Sequence, residues 1–91
     1  MPVWTIEVTT TPKRVLTKNK NRLVYVILNS SSVNVYVGFD SSVSTTGEKK
    51  GIPVLANGGI WSDEYHKGEV WIIAESDTEV QVVEVVKEEQ P

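Results

Sequence analysis

Hydrophobic positions in this chain alternate with polar ones over short runs and nowhere recur at i, i+3, i+4 over a helical length. The pattern predicts an essentially helix-free protein of about seven or eight short strands. Val3 to Thr9 places Trp4, Ile6 and Val8 on one face and Thr5, Glu7 and Thr9 on the other. Pro12 ends that run, because proline cannot donate to a ladder. Lys13 to Thr17 reads as a short edge strand whose cations discourage pairing with another edge, and Asn19-Lys20-Asn21 as a turn. Arg22 to Asn29 is the strongest strand, with Leu23, Tyr25 and Ile27 facing one way and Val24, Val26 and Leu28 the other. Ser30-Ser31-Ser32 leads from it into Val33 to Phe39, which predicts an antiparallel hairpin with Val35 and Val37 inward and Asn34 and Tyr36 outward.

The second half repeats this grammar. Asp40 to Lys50 is polar and rich in serine and threonine. Ile52 to Leu55 is a short strand, and Asn57-Gly58-Gly59 supplies the left-handed conformations of a tight turn before Ile60 and Trp61 begin the return. Asp63 to Gly68 forms a second exposed loop. Glu69 to Ala74 and Glu79 to Val86 predict a closing hairpin through Glu75-Ser76-Asp77-Thr78. In the last strand Val80 and Val82 share one face and Val83 and Val85 the other, which predicts either a bulge between Val82 and Val83 or a strand covered on both sides.

A lone two-sheet sandwich needs one apolar face per strand. Here the strands around Val26, Ile73 and Val83 show two. The expected architecture is therefore all-β, a small antiparallel β-sandwich or jelly-roll-like barrel, with residues 1–91 forming one domain whose surplus apolar faces meet other subunits. Val24, Val26, Leu28, Trp71, Ile73, Val83 and Val85 are the expected interface residues.

Size sharpens that expectation. A chain of 91 residues hides only roughly 60–65% of its unfolded surface. It has no cysteine to add a disulfide, so tight packing or partner subunits must supply the margin. The net charge of −3 argues against general nucleic-acid binding, which needs a positive footprint. The charge is unevenly spread: Lys13, Arg14, Lys18, Lys20 and Arg22 crowd the first quarter, while Glu64, Glu69, Glu75, Asp77, Glu79 and Glu84 load the last third. This asymmetry suits either a head-to-tail contact between subunits or solvated loops of mixed charge. Met1-Pro2-Val3-Trp4-Thr5 lacks the basic and apolar regions of a secretory signal. The apolar run Leu23 to Leu28 is too short to span a bilayer, so no membrane association is expected.

Side chains for chemistry are few. Ser62, Asp63, Glu64 and His66 share one loop, but neighbours in a short loop do not assemble a nucleophile, base and orienting acid around an oxyanion site. Asp63, Glu64 and His66 offer at most a poorly specific metal site. Metal-binding cupins, another small all-β class, line their barrel with several histidines, and this chain has one. No catalytic activity, cofactor or metal is expected. A small carbohydrate- or ligand-binding β-sandwich module is the rival reading, using the loops Asp40 to Lys50 and Ser62 to Gly68, with Trp61, Asp63, Tyr65 and His66 as contact residues. Trp61 and Tyr65 are the candidates for an exposed aromatic pair, whereas Trp4 and Trp71 have the alternation of core residues.

From Asn29 onward the order of segments resembles a known class. Asn29-Ser30-Ser31-Ser32-Val33-Asn34-Val35-Tyr36-Val37-Gly38 precedes the Ser/Thr-rich loop, followed by Gly51-Ile52-Pro53-Val54-Leu55-Ala56-Asn57-Gly58-Gly59. After an acidic loop come Gly68-Glu69-Val70-Trp71-Ile72-Ile73-Ala74 and Val80-Gln81-Val82-Val83-Glu84-Val85. Over roughly two thirds of the chain this is similar to small β-sandwich virion structural proteins of tailed bacterial viruses and some archaeal viruses. The resemblance implies a capsid decoration protein, or a module of a fibre, spike or tail, assembled in the host cytoplasm. It also implies self-association, with a trimer favoured, and contacts with other virion proteins. The basic N-terminal quarter has no counterpart in that pattern.

Overall fold

The computed structural model describes residues 3–87, which fold into eight strands and no helix. They are β1 (Val3–Val8), β2 (Lys13–Leu16), β3 (Arg22–Asn29), β4 (Val35–Gly38), β5 (Ile52–Val54), β6 (Gly59–Asp63), β7 (Val70–Ala74) and β8 (Thr78–Val86). Two four-stranded antiparallel sheets stack face to face, one in the order β1-β8-β3-β6 and the other β2-β7-β4-β5. Each strand of the first half pairs with its mirror partner in the second, β1 with β8, β2 with β7, β3 with β6 and β4 with β5. This is the strand order of a jelly roll, a long antiparallel ribbon rolled into two sheets.

The order corrects the two hairpins expected from the sequence and redirects the return expected after Asn57–Gly59. β3 and β4, β5 and β6, and β7 and β8 lie in different sheets, so Ser30–Ser32, Asn57–Gly58 and Glu75–Asp77 arch across the gap between sheets. Asn57 (φ 63°) and Gly58 (φ 113°) do take the left-handed conformations of a tight turn. A reversal signal looks the same in sequence whether the next strand pairs with the last or stacks over it. Among the described residues the one hairpin of consecutive strands is β4–β5, across the long polar loop.

The core sits between the sheets. Val8, Tyr25, Ile27, Val80 and Val82 of the first sheet meet Leu16, Val35, Val37, Val54, Val70, Ile72 and Ala74 of the second, all essentially buried. β8 keeps regular alternation beside β1, so the expected bulge at Val82–Val83 is absent. The irregularity lies across the ladder instead. Arg22 stands opposite Val86 and Val24 opposite Val85, so Leu23 is the extra residue of a bulge in β3.

That bulge turns Arg22 inward, where 1% of it is exposed. Its Nε donates to Glu84 Oε2 at 2.8 Å. Its Nη1 donates to the carbonyls of His66 (3.2 Å) and Gly68 (2.9 Å), and its Nη2 to that of Thr17 (2.6 Å). The guanidinium also lies 5.6 Å from the Tyr25 ring centre. One fork thus joins the β2–β3 loop, the β6–β7 loop and β8. Asn29 does the same at the other end of β3: its amide donates to the carbonyls of Val33 (2.8 Å) and Val54 (2.9 Å), and its Oδ1 accepts from the Ser31 amide.

Replacing Arg22 by Met should cost about 3 kcal/mol in urea unfolding, because Glu84 would keep its burial and lose its partner. Adding Glu84→Met to that variant should recover part of the loss, and a double mutant no better than the single would refute the pairing as the source.

Candidate functional site

The two sheets treat their outer faces differently. On the second sheet Tyr36 and Ile73 face outward in register, with Trp71 beside Gly38 in the next row. Yet Tyr36 is only 6% exposed and Ile73 8%, because Val43, the apolar residue of the Ser/Thr-rich loop, folds over them. Gly38 and Gly51 make room for it: a Cβ at Gly38 would lie 2.5 Å from the Cβ of Val43, and one at Gly51 2.7 Å from its Cγ2. The loop closes on itself through Ser44 N to Lys49 O (2.9 Å) and Gly51 N to Ser44 O (3.0 Å). Tyr36 donates its hydroxyl to Glu75 at 2.6 Å, a bond that raises its pKa. Trp71 donates its ring N–H to Glu69 (3.0 Å), which also pairs with Arg14 (3.1 Å). These two donors hold the Glu69 carboxyl below its usual range. Ile73, expected at a subunit interface, is therefore covered by the chain's own loop and side chains, and Trp71, expected there too, is partly buried against this cluster.

Among the described residues the outer face of the first sheet has no such cover. Cross-strand register aligns Val3, Val83, Val26 and Ser62 in one row and Thr5, Gln81, Leu28 and Ile60 in the next, with Val85 beside Val24. Seven apolar side chains thus adjoin: Val3, Val24, Val26, Leu28, Ile60, Val83 and Val85. Val3 is 61% and Ile60 65% exposed, and the others are half-buried only by each other. Four strands and three rows span roughly 400 Å² of sheet, in which these seven side chains are the apolar part and Thr5, Ser62 and Gln81 the polar part. Five of these residues are those expected from the sequence to meet a partner. Val3 and Ile60 were not, since each lies at a sheet edge whose position only the strand order reveals.

The loop candidates come apart. Trp61 packs against the core and donates its ring N–H to Tyr25 Oη at 3.1 Å, and Tyr25 donates in turn to Asp63 Oδ2 at 3.2 Å. Asp63 also accepts the Tyr65 amide (2.8 Å). His66 stacks on Phe39, with ring centres 4.2 Å apart, and its Nε2 donates to the Glu69 carbonyl at 2.8 Å. Tyr65 alone projects, 88% exposed. The expected Trp61–Tyr65 aromatic pair does not form, because Trp61 is drawn inward by the Tyr25 hydroxyl. A hollow of about 290 Å³ lined by Thr5, Ser30, Ser31, Thr78 and Gln81 carries no aromatic side chain for stacking. Among the described residues no group of three or more His, Cys, Asp or Glu is placed to hold a metal ion.

Two cations of the basic N-terminal quarter are likewise used internally, Arg14 on Glu69 and Arg22 on Glu84. Arg22, being buried, is not free for the head-to-tail contact that the charge asymmetry raised, while Arg14 stays half exposed beside Glu69. Comparison with protein-family models, with curated proteins and with solved structures finds no match to this chain.

Burial pushes the Tyr25 hydroxyl up to about 12, against the pull of the Trp61 N–H and with the Asp63 carboxylate adding to the rise. The folded state therefore holds this proton more tightly than the unfolded chain does. The stability so gained is whole below pH 10.0 and is lost between there and about 12. Wild-type protein should show an alkaline loss of stability in that window beyond the one kept by Tyr25→Phe, measured by urea unfolding at stepped pH. Identical profiles would refute the buried hydroxyl as the titrating group.

Proposed function

We propose that this protein is a non-enzymatic viral structural protein that self-associates and docks on a capsid, fibre or tail assembly through the outer face of its first sheet. The observation that carries this reading is the contrast between faces: one apolar outer face is closed by a dedicated loop, and the other is left open as a contiguous patch. A small chain gains from covering such a patch, since obligate interfaces resemble a core cut in half. The viral setting rests on the sequence resemblance. Jelly rolls also serve lectins and cupins, so the strand order is compatible with the setting without selecting it. What remains for ligand recognition, an isolated Tyr65 and an open hydroxyl-lined hollow, lacks the aromatic platform that favours sugar binding.

The test is solution mass by size-exclusion chromatography with light scattering over a wide concentration range. Wild type should be oligomeric. Val26→Asp, at the centre of the patch and outside the core, should be monomeric with an unchanged circular dichroism spectrum. A wild-type monomer at every concentration would defeat the proposal.

A further inference from the structure

The sheets differ at their edges as well as on their faces. An edge strand presents unpaired backbone groups, and proteins blunt such edges with cations, proline, bulges or short length. In the second sheet, β2 is four residues long, carries Lys13 and Arg14 and has a register shift, while β5 is three residues long and contains Pro53. In the first sheet, the shorter edge strand β6 is backed only at its first residue, by the turn before it: Gly59 N donates to Leu55 O at 3.0 Å, and a Cβ on Gly59 would lie 2.3 Å from that oxygen.

β1 has the least of these protections. Its six residues, Val3–Val8, run in unbroken register against β8, with neither proline nor lysine and with Glu7 as the one charge. Outside that ladder its backbone makes one hydrogen bond among the described residues, the Lys13 ammonium to the Glu7 carbonyl at 3.0 Å. Apolar side chains stand exposed on both sides of it, Val3 at 61% on the outer face and Trp4 at 39% on the inner.

We propose that β1 pairs antiparallel with β1 of a second copy of this chain about a two-fold axis, joining the two first sheets into one continuous sheet. This rests on the reading above, that the first sheet carries self-association, and adds a contact along its edge to the one through its face. Free strand amides and carbonyls specify a strand as their partner. An antiparallel edge is complementary to itself under a two-fold, since each copy offers the donors and acceptors the other needs. Paired residues must share a face, so the axis falls at Thr5 or Ile6. Glu7 then lies opposite Val3 or Thr5 of the other copy and never opposite its own equivalent. Such a pair closes at two copies, where the resemblance implies three.

The experiment combines light scattering with amide hydrogen exchange over a protein dilution series on wild type, Thr5→Glu and Thr5→Gln. Thr5 is exposed on the outer face. A glutamate introduced there meets a carboxylate of the other copy in either register, its own counterpart when the axis falls at Thr5 and Glu7 when it falls at Ile6. Wild type should be a dimer whose β1 amides exchange more slowly as concentration rises. Thr5→Glu should raise the dissociation constant by more than about tenfold, while Thr5→Gln leaves it near wild type. An oligomer that persists in Thr5→Glu, with β1 exchange independent of concentration, would overturn edge pairing yet leave association through the face standing. A monomer at all concentrations would overturn both. Should Thr5→Glu lose its native circular dichroism, the wild-type exchange series decides alone.

Discussion

The Arg22–Glu84 pair is the contact on which one whole end of the sandwich depends. Two loops and the last strand arrive there with oxygens that need donors, and a single guanidinium has enough N–H groups, fixed in one plane, to serve Thr17, His66, Gly68 and Glu84 together. Burying that charge is favourable only because every one of its neighbours accepts a hydrogen bond or, like Tyr25, offers a ring face. The bulge at Leu23 exists in the service of this arrangement, since regular alternation would put Arg22 in solvent. β3 is thus bolted at both ends, by Arg22 at its start and Asn29 at its close, with Tyr25 and Ile27 buried between them.

With the ends fixed, the sandwich has two outer faces to manage, and it manages them in opposite ways. The second sheet is sealed: Val43 is laid over Tyr36 and Ile73, and its edges carry Pro53, Lys13 and Arg14. The first sheet keeps its face apolar and the β1 edge open. The loop Asp40 to Lys50 costs ordering entropy to hold one valine in place, whereas a partner of the kind proposed above would add apolar burial from both molecules.

The alternation of Tyr25-Val26-Ile27 and of Val35-Tyr36-Val37 was enough to identify strands and to separate inward from outward residues, because a side chain's face follows from backbone period alone. The doubling of apolar faces was also legible, and it marks Val24, Val26, Leu28, Val83 and Val85 on the open face. The same pattern marks Ile73 and Trp71, which a loop covers. Period two reports that a position faces out of the sheet and is silent on what lies beyond it. Trp61 shows the same limit: the residues that follow it in sequence are polar, and its partner Tyr25 lies far away along the chain.

The all-β class, the strand segments, the reversals and the surplus of apolar faces are local properties. They follow from side-chain alternation and turn chemistry, which need no knowledge of distant residues. That the reversals arch between sheets, that Arg22 turns inward to Glu84, that Val43 caps one sheet and that β1 has a free edge among the described residues are properties of the folded whole. Each of those depends on which strands lie side by side, and that is set by how the whole ribbon rolls so that both inner faces are buried at once.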